Sequence, residues 1–249
     1  MVPFQERRYR LKCRGNKLVS FTAKVKETDL WITAPIDMSE LAVESILRHR
    51  RGLEDYASRN PRFLTALEPL PPDPWAPTLV KAMLAAGNAA GTGPMAAVAG
   101  AIAHAVGMDL SPLAGGEVMV ENGGDVYLES PNPVTVGLEA GDSPISGRLG
   151  ISIEPEAMPL CLGTSSGTVG HSLSLGRADA ATVKAKDGAL ADAAATALGN
   201  RVKSAGDLQT ALDWVSTVPG VLGALIVVGR KLAAWGDMEL VSLEQGGKR

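Results

Sequence analysis

Two oxygen-bearing side chains stand one helical turn apart in an otherwise apolar, alanine-rich segment, Ala189–Leu198. Asp187 is the natural N-cap of a helix here, so Asp192 falls beyond the first turn, where neither capping nor the helix dipole explains a carboxylate. Asp192 and Thr196 would share one helix face, which places two hard oxygens side by side for Mg²⁺. The alternative is that Asp192 is simply exposed and that Thr196 bonds back to a carbonyl of the preceding turn.

A pair of glycines lies between two short apolar runs, in the sequence Glu121-Asn122-Gly123-Gly124-Asp125. Asn-Gly-Gly is a strong signal for a hairpin turn, because consecutive positions that need positive φ suit Asn and Gly. In the functional interpretation, Gly123 and Gly124 let a ligand approach the backbone. Glu121 and Asp125 would then accept hydrogen bonds from ribose hydroxyls or a ring N–H. Both interpretations are open from the sequence.

A third polar segment, Gly163–Ser172, concentrates hydroxyls, glycines and a histidine. Its central positions are Ser165, Ser166, Gly167 and Thr168. Such a loop can present N–H groups and hydroxyls to a phosphate, although its spacing matches neither a Walker loop nor the dinucleotide fingerprint. His171 is a candidate for proton transfer, because an unperturbed imidazole has a pKa near ~6.5. Equally, the segment is compatible with a plain connecting loop in which His171 bonds to its own backbone.

The rest of the chain must supply the elements that position these segments. Alternation predicts a hairpin around Arg14-Gly15-Asn16 and a strand at 30–33, and a helical period predicts helices over 37–58, 77–84 and 94–106. Further strands are predicted at 118–120, 126–128, 134–138, 150–153 and 180–183, helices at 188–199 and 206–216, and a last hairpin of 222–228 and 232–241. This grouping indicates an α+β fold, with antiparallel sheets and helices packed on one face.

Composition and charge exclude several classes of function. The chain is 45% hydrophobic with a mean hydropathy of +0.09, which indicates a folded globular protein. A net charge of -3 and 4% aromatic residues argue against a nucleic-acid binder. No run approaches the ~20 apolar residues of a membrane span, and Met1–Arg10 does not read as a signal peptide. With only Cys13 and Cys161, a reducing compartment is indicated. We therefore expect one cytoplasmic domain over 1–249, with no membrane contact.

The three polar segments, taken in chain order, form a recognisable set: Asn122-Gly123-Gly124-Asp125, Thr164-Ser165-Ser166-Gly167 and Ala191–Thr196. They resemble the ApbE-like family of FAD:protein FMN transferases. Nearly the whole chain is similar to a prokaryotic branch of that superfamily, whose hallmarks match Lys26–Leu30, Gly93–Gly100 and Thr164–His171.

The resemblance implies a tunnelling-fold-like α+β domain. It also implies that the protein binds FAD, uses Mg²⁺ to activate the FAD pyrophosphate, and passes FMN to a Thr or Ser of a target protein. By the same resemblance, Asp192 and Thr196 would ligate Mg²⁺, and His171 and Asp192 would be the catalytic residues. The Gly123-Gly124 turn and Ser165-Ser166-Gly167 would line the flavin nucleotide site.

The leading hypothesis is a Mg²⁺-dependent flavin- or nucleotide-binding protein, with FAD:protein FMN transfer or FAD pyrophosphatase activity. His171 is followed by neither the Asp-Pro nor the Thr-Gly of the family, so two alternatives stand beside it. One is a non-catalytic flavin or nucleotide carrier. The other is an enzyme acting on another small anionic substrate, with His171 as acid and base. The expected partners are a small-molecule nucleotide and a protein acceptor, and the small-residue helices are compatible with a homodimer.

Overall fold

The structure, a computed structural model, describes residues 18–167 and 176–243. In these two ranges the helices are α1 (Ser39–Arg59), α2 (Arg62–Thr65), α3 (Thr78–Ala90), α4 (Val98–Leu110), α5 (Gly188–Arg201) and α6 (Leu208–Ser216). The strands are β1 (Val19–Val25), β2 (Thr28–Ala34), β3 (Val118–Asn122), β4 (Asp125–Glu129), β5 (Val134–Gly137), β6 (Leu149–Ile153), β7 (Leu160–Ser165), β8 (Ala180–Ala185), β9 (Val221–Val228), β10 (Lys231–Gly236) and β11 (Glu239–Ser242). Short 3-10 turns lie at Pro94–Ala97 and Pro155–Ala157.

The strands form two antiparallel sheets. The large sheet has the order β1-β2-β3-β4-β7-β8-β9-β10, and the small sheet has the order β11-β6-β5. The chain crosses the large sheet from edge to edge, leaves it after β4 to build β5 and β6, and returns at β7. The predicted α+β fold with antiparallel sheets and helices on one face is confirmed. The prediction of one domain over 1–249 stays a prediction.

The large sheet is the middle of three layers. On strand β4, Tyr127 packs into the core cluster shared with the helices, whereas Val126 and Leu128 pack against Ile151 and Ile153 of the small sheet. Because side chains alternate between the two faces of a strand, both faces of the central strands are buried. The strands of a sheet that is buried on both faces are apolar along most of their length, and β3, β4 and β9 have this pattern.

Helix α5 lies at the centre of the helical layer, and glycines let its neighbours approach its backbone. A Cβ atom on Gly100 of α4 would lie 2.2 Å from the carbonyl oxygen of Gly188, and one on Gly163 of β7 would lie 2.4 Å from that of Ala191. Real Cβ atoms essentially never come this close to other heavy atoms. The close packing of α5 against α4 and β7 therefore depends on glycine at these contacts.

The first two strands of the described residues, β1 and β2, form a hairpin. The hairpin of the described residues joins β1 to β2 through Lys26 and Glu27, and Lys26 adopts a φ of +53°. The turn predicted at 14–16 lies outside the described residues. The predicted strand at 30–33 is the central part of β2.

Two helices differ in their bounds from the predicted ranges 77–84 and 94–106. Gly87 lies inside α3, which ends instead at Gly91, whose φ is +72°. The helix predicted from Pro94 is a 3-10 turn that leads into α4. Within the described ranges, no single helix has the length and apolarity to cross a membrane, while α3 and Pro94–Leu110, bent by 105°, pass that test together on length and composition.

The last predicted strand, 232–241, is in fact two strands in different sheets. Strand β10 ends at Gly236, whose φ is +74°, and β11 then pairs with β6 of the small sheet. In the segment between β10 and β11, where the chain passes from the large to the small sheet, the exposed carboxylate of Asp237 binds the buried amine of Lys184 on β8 at 2.7 Å. The ion pair ties the crossing segment to the middle of the large sheet.

One buried hydroxyl lacks a hydrogen bond in the described part of the chain: Oγ1 of Thr92, in the loop between α3 and the 3-10 turn. A buried hydroxyl without a partner costs roughly 1–3 kcal/mol. We expect Thr92→Val to raise the free energy of unfolding by about 1 kcal/mol in urea denaturation.

Thr182→Val is the matched control for this prediction. The buried hydroxyl of Thr182 lies 3.1 Å from that of Thr164, so its removal leaves Thr164 without that contact. We expect a loss of about 1 kcal/mol for this variant. Equal losses in the two variants would contradict the assignment of Thr92.

Candidate functional site

The Asp192 carboxylate binds the first turn of a neighbouring helix. Its Oδ2 accepts the backbone N–H of Gly100 at 3.0 Å, and the N–H of Ala99 also stabilises its charged form. Ala99 and Gly100 belong to the first turn of α4, whose N–H groups have no partner inside the helix. Asp192 therefore caps α4 from α5, so the alternative of a merely exposed Asp192 is wrong.

The electrostatics of this region are set by two close carboxyl groups. Burial raises the pKa of Asp192 to about 7, against the opposing effect of the Gly100 and Ala99 N–H groups. Burial, and after it the charge of Asp192, raise the pKa of Asp125 well above the usual carboxyl value. A bound cation would relieve the repulsion between the two ionised groups.

Thr196 follows Asp192 by one turn on the same face of α5, and both side chains are half-buried. The face that carries the two predicted Mg²⁺ ligands is therefore partly open. In the described ranges, no group of three or more His, Cys, Asp or Glu side chains is placed to hold a metal ion. Mg²⁺ at phosphate-transfer sites needs only one or two protein carboxylates, with phosphates and waters completing its shell.

The glycine pair forms the two-residue turn of the β3–β4 hairpin. Asn122 pairs with Asp125, and the turn residues Gly123 and Gly124 have φ values of +69° and +117°. The hairpin interpretation is confirmed, and its positive φ angles explain why glycine stands here. The ligand-binding interpretation of the turn stays a prediction.

The polar side chains beside this turn make hydrogen bonds to neighbouring helices and strands. Asn122 donates from Nδ2 to the carbonyl oxygen of Ala99 at 3.0 Å, and Asp125 accepts the N–H of Thr164 at 3.3 Å. Glu121 is buried on β3, and its charge also raises the pKa of Asp125. The strand alternation places Glu121 on the sheet face opposite Asn122.

The third segment begins as strand β7 and not as a loop. Gly163 packs on Ala191 of α5, and Ser165 is buried beside Gly199, near the end of the same helix. Ser166 is half-buried, and Gly167 donates its N–H to Ala178. The predicted Thr168 and His171 lie outside the described residues.

The structure thus brings Asn122 and Asp192 together around the first turn of α4, and the charge of Asp192 acts on Asp125. Sequence reasoning missed the backbone groups that these side chains bind. They are the N–H groups of Ala99 and Gly100 and the carbonyl of Ala99 on α4, and the N–H of Thr164 on β7. The available signal was a glycine inside a predicted helix, since Gly100 marks a close approach of another backbone.

His104 of α4 lies beside this site, half-buried between α5 and the large sheet. Its Nδ1 accepts the N–H of Gly188 at 3.1 Å, and its ring stacks on Tyr127 with centroids 5.6 Å apart. Burial lowers the pKa of His104, although the charge of Asp187 partly offsets this effect.

This geometry predicts that the contribution of His104 to stability becomes smaller in mild acid. The unfolded chain binds a proton on His104 at a higher pH than the folded chain does. The contribution of neutral His104 is therefore lost as the pH falls below about 6.5. We expect the unfolding free energy of the wild type to decrease relative to that of His104→Asn, which can keep an acceptor for Gly188, as the pH falls from about 7 to about 5.

Urea denaturation across this pH range checks the prediction. The carboxyls of Asp125 and Asp192 titrate in both proteins, so the difference between the two curves isolates His104. Parallel curves for the wild type and His104→Asn would contradict the prediction.

Comparison with solved structures defines the class of the fold. The chain is similar to Flavin Transferase ApbE from Vibrio cholerae, with 16% identity, a TM-score of 0.59, and coverage of 89% of this chain and 97% of that one. It is also similar to the apbe protein from Thermotoga maritima, with 14% identity and a TM-score of 0.53 over 87% of this chain and 96% of that one. The fold is therefore that of the ApbE proteins.

Sequence comparison gives the family. The chain is 44% identical over 220 residues to a UPF0280 protein of Methanocella arvoryzae, covering 87% of this chain and 89% of the relative. The family model described as AbpE bacteria matches residues 10–228, and the chain belongs to this family. The resemblance drawn from the three polar segments is confirmed.

Proposed function

We propose that this protein binds a flavin nucleotide together with Mg²⁺, and that it catalyses either the transfer of FMN from FAD to a protein hydroxyl or the hydrolysis of FAD. The observation that carries the proposal is the convergence of the Gly123–Gly124 turn, the first turn of α4 and the Asp192 carboxylate. The fold supports a flavin ligand, because it is shared with the flavin transferase ApbE from Vibrio cholerae.

The residues around Asp192 fit a magnesium ion bound together with phosphate. Asp192 offers a carboxylate and Thr196 offers a hydroxyl, and both are hard oxygen ligands. Asp125 is a second carboxyl group nearby, and a bound divalent cation would favour its charged form. When bound, the ion would stabilise negative charge that develops on the pyrophosphate oxygens.

The glycine turn fits the approach of a nucleotide. Among the described atoms, none lies within 4 Å of a Cβ position on Gly123, and the nearest to one on Gly124 is the Thr164 carbonyl at 3.3 Å. The Gly123 side of the turn is therefore open to a ligand. Ser165, Ser166, Gly167 and Thr168 are proposed as the second edge of the same nucleotide site.

The two candidate reactions differ in the attacking oxygen. In FMN transfer, a Thr or Ser hydroxyl of an acceptor protein attacks the phosphorus of the FMN half, a P–O bond forms, and the bond to AMP breaks. In FAD hydrolysis, water takes the place of that hydroxyl. In both reactions the attacking oxygen loses a proton, for which we propose His171 as the acceptor.

Calorimetry with FAD, FMN, ADP and AMP, each with and without Mg²⁺, tests the proposal. We expect Mg²⁺-dependent binding of FAD and release of AMP, the product of both reactions. Mg²⁺-dependent binding without AMP release, with or without added acceptor protein, would favour a non-catalytic carrier. Binding of none of the four would overturn the flavin proposal and favour an enzyme for another small anion.

A further inference from the structure

One peptide group connects Asn122 to Asp192. The carbonyl of Ala99 and the N–H of Gly100 belong to one planar group, the peptide bond between Ala99 and Gly100. Asn122 donates to the oxygen of this amide at 3.0 Å, and the nitrogen of the same amide donates to Oδ2 of Asp192 at 3.0 Å. A continuous chain of two hydrogen bonds thus runs from the end of β3, across the first turn of α4, to α5.

We propose that Asn122 is a positioning residue for the metal-binding carboxylate, acting through the Ala99–Gly100 peptide and not by touching the ion. The inference rests on the proposed Mg²⁺ site and deepens it. It gives Asn122 a role distinct from that of the neighbouring glycine turn.

Burial and packing support this role. Asn122 is 9% exposed, so little water competes for its amide hydrogen. Gly100 packs closely on α5, since a Cβ placed on it would lie 2.2 Å from the Gly188 carbonyl oxygen and 2.8 Å from the Cβ of Asp192. The peptide is therefore held from the sheet side by Asn122 and from the helix side by Asp192.

Polarisation of the amide adds to the positioning. A hydrogen bond to the carbonyl oxygen makes the N–H of the same peptide a stronger donor. The Gly100 N–H then fixes Oδ2 of Asp192 and sets the direction in which the carboxylate presents its other oxygen. Outer partners of this kind typically change metal affinity by about 10- to 100-fold when they are removed.

The test compares Mg²⁺ affinity in three variants of the full chain. Titration of Mg²⁺ alone is measured by calorimetry at about pH 8.5, where the Asp192 carboxyl is ionised and protons compete little with the metal. We expect Asn122→Ala to weaken Mg²⁺ binding by about tenfold or more, and Asn122→Gln, which keeps the donor, to recover part of the loss.

Asn88→Ala is the matched control. Asn88 also donates its amide to backbone carbonyls, those of Leu70 and Leu84, but it lies on α3 and has no contact with Asp192. It is expected to leave Mg²⁺ affinity unchanged. Amide exchange at Gly100, followed by NMR, is expected to accelerate in Asn122→Ala and not in Asn88→Ala.

The outcomes distinguish the positioning role of Asn122 from the proposed function of the protein. Mg²⁺ binding by the wild type with equal affinity in Asn122→Ala would overturn the positioning role and leave the proposed function standing. An equal loss in Asn122→Ala and Asn88→Ala would assign the effect to general destabilisation and would also overturn it. Absence of Mg²⁺ binding by the wild type would overturn the positioning role, and absence of Mg²⁺-dependent FAD binding would overturn the proposed function as well.

Discussion

Replacement of Asp192 by Asn is expected to abolish Mg²⁺-dependent nucleotide binding while the protein stays folded. The amide oxygen of Asn can still accept the Gly100 N–H, which Asp192 accepts at 3.0 Å, so the cap of α4 is kept. The negative charge that binds the cation is lost. We expect at least about a 100-fold loss of Mg²⁺ affinity in calorimetry, because a direct ligand contributes at least as much as the outer partners, whose removal costs about 10- to 100-fold.

Two further variants separate charge from capping. Asp192→Ala removes the acceptor as well as the charge, and we expect it to be less stable than Asp192→Asn by about 1 kcal/mol. Asp207→Asn is the matched control, because Asp207 also accepts two backbone N–H groups, those of Lys203 and Ser204, at 3.0 and 2.7 Å. Loss of Mg²⁺ binding in Asp207→Asn, or its persistence in Asp192→Asn, would contradict a metal role for Asp192.

Replacement of Gly163 by Ala is expected to lower the free energy of unfolding by about 2–3 kcal/mol or more. The new Cβ would lie 2.4 Å from the Ala191 carbonyl and 2.5 Å from the Asp192 nitrogen, and all of these contacts are backbone atoms that no side-chain rotation can move. Strand β7 must separate from α5, which carries Asp192. We therefore expect this variant to lose Mg²⁺ affinity as well.

Gly52→Ala is the control for this prediction, measured in the same urea denaturation series. Gly52 lies inside α1, and a Cβ there would meet the nearest atom, on Pro77, at an ordinary 3.5 Å. Because Ala is the better helix former, we expect a gain of up to about 1 kcal/mol. A Gly163→Ala variant as stable as the wild type would show that β7 and α5 do not approach each other as described.

The sequence predicted which residues meet at the site better than how they meet. The period of the alanine-rich segment placed Asp192 and Thr196 on one face of α5, and the Asn-Gly-Gly signal placed the β3–β4 turn. Both are local patterns. The cap that Asp192 provides to Gly100 joins residues 92 positions apart, and no periodicity or spacing carries that pairing.

The errors in the predicted elements also arise from contacts between distant parts of the chain. Thr164 and Ser165 are polar and were therefore predicted to lie in a loop, yet they are the last residues of β7. The Thr164 hydroxyl forms a hydrogen bond with that of Thr182 on the neighbouring strand β8. Gly236 reads as one position in a long apolar strand, whereas its positive φ turns the chain into the other sheet. Whether a polar side chain finds a hydrogen-bond partner, and where a strand ends, both depend on residues that are distant in sequence.

The return of β11 to the small sheet has a consequence for folding during synthesis. Residues of β5 and β6 leave the ribosome well before residues 239–242, yet β6 pairs with β5 on one side and with β11 on the other. Until the last strand emerges, one edge of β6 has no strand beside it in this sheet. The nascent chain therefore carries an open, aggregation-prone edge through the synthesis of all the helices and strands between β6 and β11.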